Sequence, residues 1–265
     1  MTFTRPYFLL LLGLLILGSA HAQPAISAHR GSSLVAPENT LATFRTALKM
    51  PVGYLEIDVR TTKDGHLVIL HDGLLDRTTT GTGPVQNLTL AEVKQLSAGK
   101  GFGEKFNGER VPTLNEVCQL LRDWNKTHTQ KVNLYVDCKA VLPKPLVDEL
   151  AAFDLLTDAV FYGSDAFLES LKQVSPTAKL MPSLRNADEL PGKMQQLQPY
   201  AFDVRWASLT PELVQQIHAH GIRVFSDALG FFENAEQYLK AARLGVDVIQ
   251  TDYVLRVSQA LKEMK

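Results

Sequence analysis

The chain has 265 residues, with 27 basic and 28 acidic side chains and a formal charge of −1. This near-neutral balance gives no electrostatic footprint for nucleic acid or an anionic membrane, and 45% hydrophobic residues suit one sizeable core. The two cysteines, Cys118 and Cys138, are too few for a disulfide scaffold; they could pair in an oxidising compartment or stay apart as buried thiols.

The first element in chain order is a targeting segment. Arg5 is the one charge in residues 1–22, Phe8–Gly18 is apolar, and Ala20 and Ala22 form an A-x-A cleavage site. This pattern predicts a secretory signal peptide cut before Gln23, and its apolar run falls short of the ~20 residues that span a bilayer. The expected product is exported, periplasmic or secreted. No cysteine follows the cleavage site to carry a lipid, so no stable membrane anchor is expected.

Residues 23–265 alternate short apolar strands with amphipathic helices. Strands are predicted at 25–29, 54–60, 132–139, 159–164, 178–184, 201–206, 222–228 and 246–252, with a hairpin strand at 66–72. Helical periodicity marks 38–50, 113–124, 165–174, 210–221 and 234–245. Thr113 and Thr210 stand at N-cap positions, and Gly221 and Gly245 stand where helices end. Eight strand–helix units in this length predict an α/β fold, a (β/α)8 TIM barrel. No G-x-G-x-x-G or Walker loop supports the rival, an open doubly wound sheet. The Thr- and Gly-rich stretch at about 73–110 is too long for a βα loop. It reads as a small insertion after the second barrel strand, at the end where such barrels build their sites.

Chemistry-bearing residues gather at the predicted strand ends. Glu56 and Asp58 in "LEIDV" are two apart and share a face, and Asp137 and Lys139 repeat that spacing on the next barrel strand. Three carboxylates on one rim make a hard oxygen site for one divalent cation, Mg2+ or Ca2+ rather than zinc. His29 ends the first strand and His71 ends the hairpin strand, an arrangement suited to acid–base catalysis beside a metal. Arg30 and Lys139 bring positive charge to the same mouth and suit an anion such as phosphate. Glu38 could orient Arg30 or the substrate. Asp252 serves equally as a cap for the final turn or as a substrate contact.

"AHRGSSLVAPENT", "LEIDVRTTKDGHLVILHD", "LDRTTTGTGPV", "LTLAEVKQL", "VPTLNEV" and "GVDVIQTD" resemble the glycerophosphodiester phosphodiesterase family, from His29 to Asp252. The resemblance implies metal-dependent hydrolysis of a glycerophosphodiester to glycerol 3-phosphate and an alcohol. By the family's pattern His29 and His71 are the acid–base pair, and Glu56, Asp58 and Asp137 bind the metal. Arg30 and Lys139 match the phosphate-facing positions, and Glu38 matches the family's helix-start glutamate. The resemblance also implies attack on phosphorus by the substrate's own neighbouring hydroxyl, through a cyclic phosphate.

Two departures bear on substrate. Asp137 replaces the family's usual glutamate, about one C–C bond shorter, so the metal would shift or a water would bridge. "VFSDA" departs from the usual late strand end and adds a carboxylate, Asp227, which disfavours an anionic head group. Two alternatives stand beside the hydrolase. Lysophospholipase D-like cleavage of lysolipids would use Phe102, Phe106, Phe231 and Phe232 on the acyl chain. A non-catalytic phosphodiester-binding barrel rests on Asp137 alone.

Overall fold

The computed structural model describes residues 23–264; the expected signal peptide, residues 1–22, lies outside the described residues. The strands are β1 (Ala25–Ala28), β2 (Tyr54–Thr61), β3 (Leu67–Ile69), β4 (Asn133–Ala140), β5 (Val160–Gly163), β6 (Lys179–Leu184), β7 (Ala201–Val204), β8 (Arg223–Asp227) and β9 (Val248–Thr251). Strand β3 lies antiparallel on β2. The other eight run parallel and close on themselves, because β1 pairs with both β9 and β2. The fold is a TIM barrel.

The helices are α1 (Leu41–Ala47), α2 (Leu90–Val93), α3 (Leu114–Thr127), α4 (Pro143–Ala151), α5 (Asp165–Val174), α6 (Leu190–Leu197), α7 (Pro211–Ala219), α8 (Ala235–Leu244) and α9 (Val254–Lys262). Local chemistry sets their ends. Thr113 and Glu116 form a reciprocal capping box at α3, Thr210 caps α7, and Gly245 ends α8 at φ 90°. The helix expected over 38–50 is shorter, because the Thr40 hydroxyl caps it by accepting from Thr43 N–H and Asn39 is left-handed at φ 56°. Residues 37–39 therefore stay outside the helix.

Strand alternation divides the core in two. Leu55, Ile57, Val59 and Cys138 face outward into the layer shared with the helices. Tyr54, Tyr135, Met181, Phe225 and Val248 fill the barrel, with the Tyr54 and Phe225 rings edge-on at 5.4 Å. This apolar floor occupies one end, and the inward positions two residues further along β2, β4, β7 and β8 are Glu56, Asp137, Asp203 and Asp227. Cys118 and Cys138 are both buried free thiols.

After β3 the chain leaves the barrel, wraps a small core that includes Leu75, Val85, Val93 and Val111, and returns at Thr113. Phe102 stacks edge-on against Phe106 inside this excursion, whereas Phe231, after β8, is 99% exposed.

Candidate active site

Glu56, Asp58 and Asp137 converge at the mouth, each with an oxygen within 4.8 Å of the others. Register accounts for this, since Asp58 stands directly opposite Asp137 in the β2–β4 pair. The shorter Asp137 side chain still reaches the cluster. Glu56 and Asp58 are buried, at 2% and 1% exposure. Burial, reinforced by Asp58 and Asp137, pushes the Glu56 carboxyl well above its ordinary range. Asn39 Nδ2 donates to Asp58 Oδ2 at 2.7 Å, and Arg30 N–H donates to Glu56 Oε2 at 2.7 Å. Asp58 Oδ1 is buried without a hydrogen-bond partner among the described residues. Three converging carboxylates and an orphaned acceptor fit a divalent cation.

Both histidines have a carboxylate on Nδ1. His29 Nδ1 lies 2.9 Å from Asp252 Oδ1, and His71 Nδ1 lies 2.7 Å from Asp72 Oδ1. In each ring this leaves Nε2 uncommitted among the described residues. Asp72 also accepts from Arg77, and that bond first, with its bond to His71, holds its carboxyl below the usual carboxylate range. The anion therefore persists at neutral pH and keeps the His71 ring oriented. Arg60 fixes the backbone there by donating to the carbonyl of His71 from Nε at 2.9 Å and Nη2 at 2.6 Å.

Asp252 does not cap α9, the first of the two roles its sequence position left open; its Oδ1 orients His29 instead. The residue before α9 is Tyr253, which makes no side-chain cap, while the Asp252 carboxylate is taken by His29. Its own N–H donates to Glu233 Oε1 at 2.7 Å. Glu233 is buried and also accepts from the hydroxyls of Thr251 and Tyr238.

The turn that presents His29 is unusual. Arg30, Gly31 and Ser32 have φ of 49°, 84° and 64° in succession, a conformation held only by surrounding contacts. A Cβ on Gly31 would come within 2.4 Å of Thr43 Cγ2. Gly31→Ala is therefore expected to cost about 2 kcal/mol in denaturant unfolding. It should lower kcat as well, because His29 and Arg30 share the turn. Unchanged stability and turnover would show that the turn tolerates other geometries.

The two cations sit at the edge of the carboxylate cluster. Lys139 Nζ is 2.6 Å from Asp137 and 3.4 Å from Asp58, and Arg30 Nε is 3.6 Å from Asp58. Arg30 Nε is buried and donates no hydrogen bond among the described residues. Glu38 faces two guanidiniums, accepting from Arg30 at 3.1 Å and from Arg77 at 2.7 and 2.8 Å. A carboxylate so placed orients Arg30 and Arg77 at the mouth.

Sequence reasoning named His29, His71, Arg30, Lys139, Glu38, Glu56, Asp58 and Asp137, and the fold brings them to one mouth. It passed over Asn39, Asp72, Arg77 and Asp203. Asp203 obeyed the same two-residue spacing, counted from Ala201. Asn39 and Arg77 act through contacts with residues 19 and 39 positions away, whereas Asp72 adjoins His71 in the sequence.

Residues 29–256 match the glycerophosphoryl diester phosphodiesterase family. The chain belongs to that family. Among relatives of this phosphodiesterase family, the glycerophosphodiester phosphodiesterase of Caldanaerobacter subterraneus is 34% identical over 229 residues, covering 86% of this chain and 93% of its own. The Oleispira antarctica phosphodiesterase, solved with the product sn-glycerol-3-phosphate, is 28% identical with a TM-score of 0.77, covering 91% and 97% of the two chains. A glycerophosphodiester phosphodiesterase from Agrobacterium tumefaciens superposes with a TM-score of 0.78 at 26% identity, covering 90% and 99%.

Proposed function

We propose that this barrel hydrolyses glycerophosphodiesters to glycerol 3-phosphate and an alcohol, with His29 and His71 as the acid–base pair. The carrying observation is the pair of orphaned buried atoms at the mouth. Among the described residues Asp58 Oδ1 accepts no hydrogen bond and meets only the Lys139 ammonium at 3.4 Å, and Arg30 Nε donates none and meets only Asp58 Oδ2 at 3.6 Å. A divalent cation answers the first and a phosphoryl oxygen answers the second, between two histidines whose Nδ1 atoms are already committed.

Glu56, Asp58 and Asp137 would hold the cation, Mg2+ or Ca2+, which when bound polarises phosphoryl oxygens and offsets their charge. Arg30 and Lys139 line the same edge and stabilise negative charge as it grows on phosphorus. One histidine takes the proton from the glycerol hydroxyl next to the ester as that oxygen attacks phosphorus. The other protonates the departing alcohol, and water opens the cyclic phosphate with the two roles exchanged.

The neighbouring hydroxyl makes a direct demand on the substrate. An analogue methylated on that oxygen should show no alcohol release, while the unmodified diester is cleaved with Mg2+ or Ca2+ and left intact in EDTA. Turnover of the methylated analogue would exclude the cyclic route. A second reading, cleavage of lysolipids, draws on the exposure of Phe231 together with Leu34, Val35 and Leu142 on loops at the catalytic end. Faster release from a long-chain lysolipid than from glycerophosphocholine would favour it.

A further inference from the structure

Beside the histidines and the carboxylate cluster, a cleft of about 520 Å³ opens over the ends of β5 to β8. Its residues take no part in the hydrolysis as written. Asp203 and Asp227 come from inward positions of neighbouring strands, while Arg185 and Arg205 stand exposed just beyond the ends of β6 and β7. Trp206 and Phe232 wall the cleft, with ring centroids 5.9 Å apart.

The acidic side is incomplete as it stands. Asp227 Oδ1 is shut off from solvent with no hydrogen-bond partner among the described residues, and a buried carboxylate oxygen calls for a donor. Burial first, then Asp227 and Asp137, push the Asp203 carboxyl well above its ordinary range. Asp227 is also within electrostatic reach of His29 and Lys139, so the cleft adjoins the place of the phosphate. The arginine side is free to take an anion, since Arg185 Nε only approaches Glu189 at 3.7 Å from the surface.

We propose that this cleft selects the departing alcohol and is built for a zwitterionic amino alcohol, a serine-type head group. Its ammonium would meet Asp203 and Asp227, and its carboxylate would meet Arg185 and Arg205. The proposal rests on the hydrolase reading and names the alcohol within it. Water and glycerophosphoserine give glycerol 3-phosphate and serine. The P–O bond to the serine oxygen breaks, and a histidine returns a proton to that oxygen.

The chemistry ranks the rivals. An ammonium supplies both the N–H donor that Asp227 Oδ1 lacks and a positive charge closer to the acid pair than His29 and Lys139. A quaternary ammonium brings the charge without an N–H. A polyol brings donors but leaves both acids and both guanidiniums without counter-charges. Among these head groups the amino acid alone also offers a carboxylate to the guanidinium forks. The Trp206 and Phe232 rings are left to cover the methylene stem.

The test compares kcat/KM for the serine, ethanolamine, choline and glycerol esters of glycerol 3-phosphate, with Mg2+ or Ca2+ supplied. The serine ester is expected to lead the glycerol ester by about tenfold or more, the scale of a charge-assisted hydrogen bond. Asp227→Asn should lower the ethanolamine-to-glycerol ratio about tenfold, and Arg205→Ala should lower the serine-to-ethanolamine ratio by a similar factor. Ratios within one variant are insensitive to the fraction folded. A wild-type preference for the glycerol ester, or ratios that neither substitution moves, overturns the subsite and leaves the hydrolase reading intact. Cleavage of no ester removes the hydrolase reading, and calorimetric titration with glycerophosphoserine then decides the cleft. Binding weakened about tenfold by Asp227→Asn supports the subsite; no binding, or binding indifferent to the substitution, overturns it.

Discussion

Replacing His71 with alanine is expected to lower kcat on a glycerophosphodiester by about 10³, within the range of general acid–base catalysis, and His29→Ala should do the same. Neither change should unfold the barrel. The His71 and His29 side chains are 30% and 14% exposed, and each is held by one carboxylate at the mouth instead of by the apolar core. The two variants should separate on a diester whose leaving group is a nitrophenol. Such an oxygen departs without a proton, so the variant lacking the acid recovers most of its rate and the variant lacking the base does not. That experiment assigns the roles, which the symmetrical Asp–His pairing leaves equal. Equal recovery, or no loss on the natural ester, would rule out the two-histidine mechanism.

Glu56→Gln should move stability and activity in opposite directions. Glu56 is buried among carboxylates, and burial together with Asp58 and Asp137 disfavours its charged form. A neutral amide of the same shape relieves that repulsion, and its carbonyl can still accept from Arg30 N–H. In EDTA the variant should therefore be more stable than wild type, because an amide carries no charge to bury beside Asp58 and Asp137. Added Mg2+ or Ca2+ should reverse the order. Wild type gains about 2.7 kcal/mol at a hundred times its dissociation constant, and the variant, with a ligand charge removed, gains little. Activity should fall by at least about 10², because a clamp on developing phosphoryl charge is lost. Melting in EDTA and in excess cation reads the stability terms without an assay. A variant that is destabilised in EDTA, or stabilised by cation as much as wild type, would contradict the metal assignment.

The eight barrel strands were legible because buried parallel strands are short apolar runs bounded by turns. The metal candidates were legible for a similar reason. "LEIDV" and "YVDCK" each place two charges two residues apart in an otherwise apolar strand, and the structure sets Asp58 directly opposite Asp137. "AFDVRW" carries the same two-residue spacing in Asp203 and Arg205, a signal that was legible there and went unread.

Two of the orienting contacts were hidden by distance along the chain. His29 meets Asp252 across 223 residues, and Arg77 reaches Glu38 across 39. Each pair forms only once the barrel is closed and the insertion is laid against its rim. The start of α1 was misplaced for a local reason, since Asn39 adopts a left-handed conformation and reaches Asp58. Helical periodicity does not register a residue that leaves the helix to hold a buried carboxylate.

The most direct test of the central claim is a 31P NMR time course of a glycerophosphodiester with the wild-type protein and with His71→Ala. Each would be run in EDTA and again after Mg2+ or Ca2+ is restored. The diester signal should give way to that of glycerol 3-phosphate only with wild type and cation, leaving the variant slower by about 10³. Conversion at equal rates in wild type and variant, or conversion that continues in EDTA, would contradict a metal-dependent hydrolysis driven by these histidines.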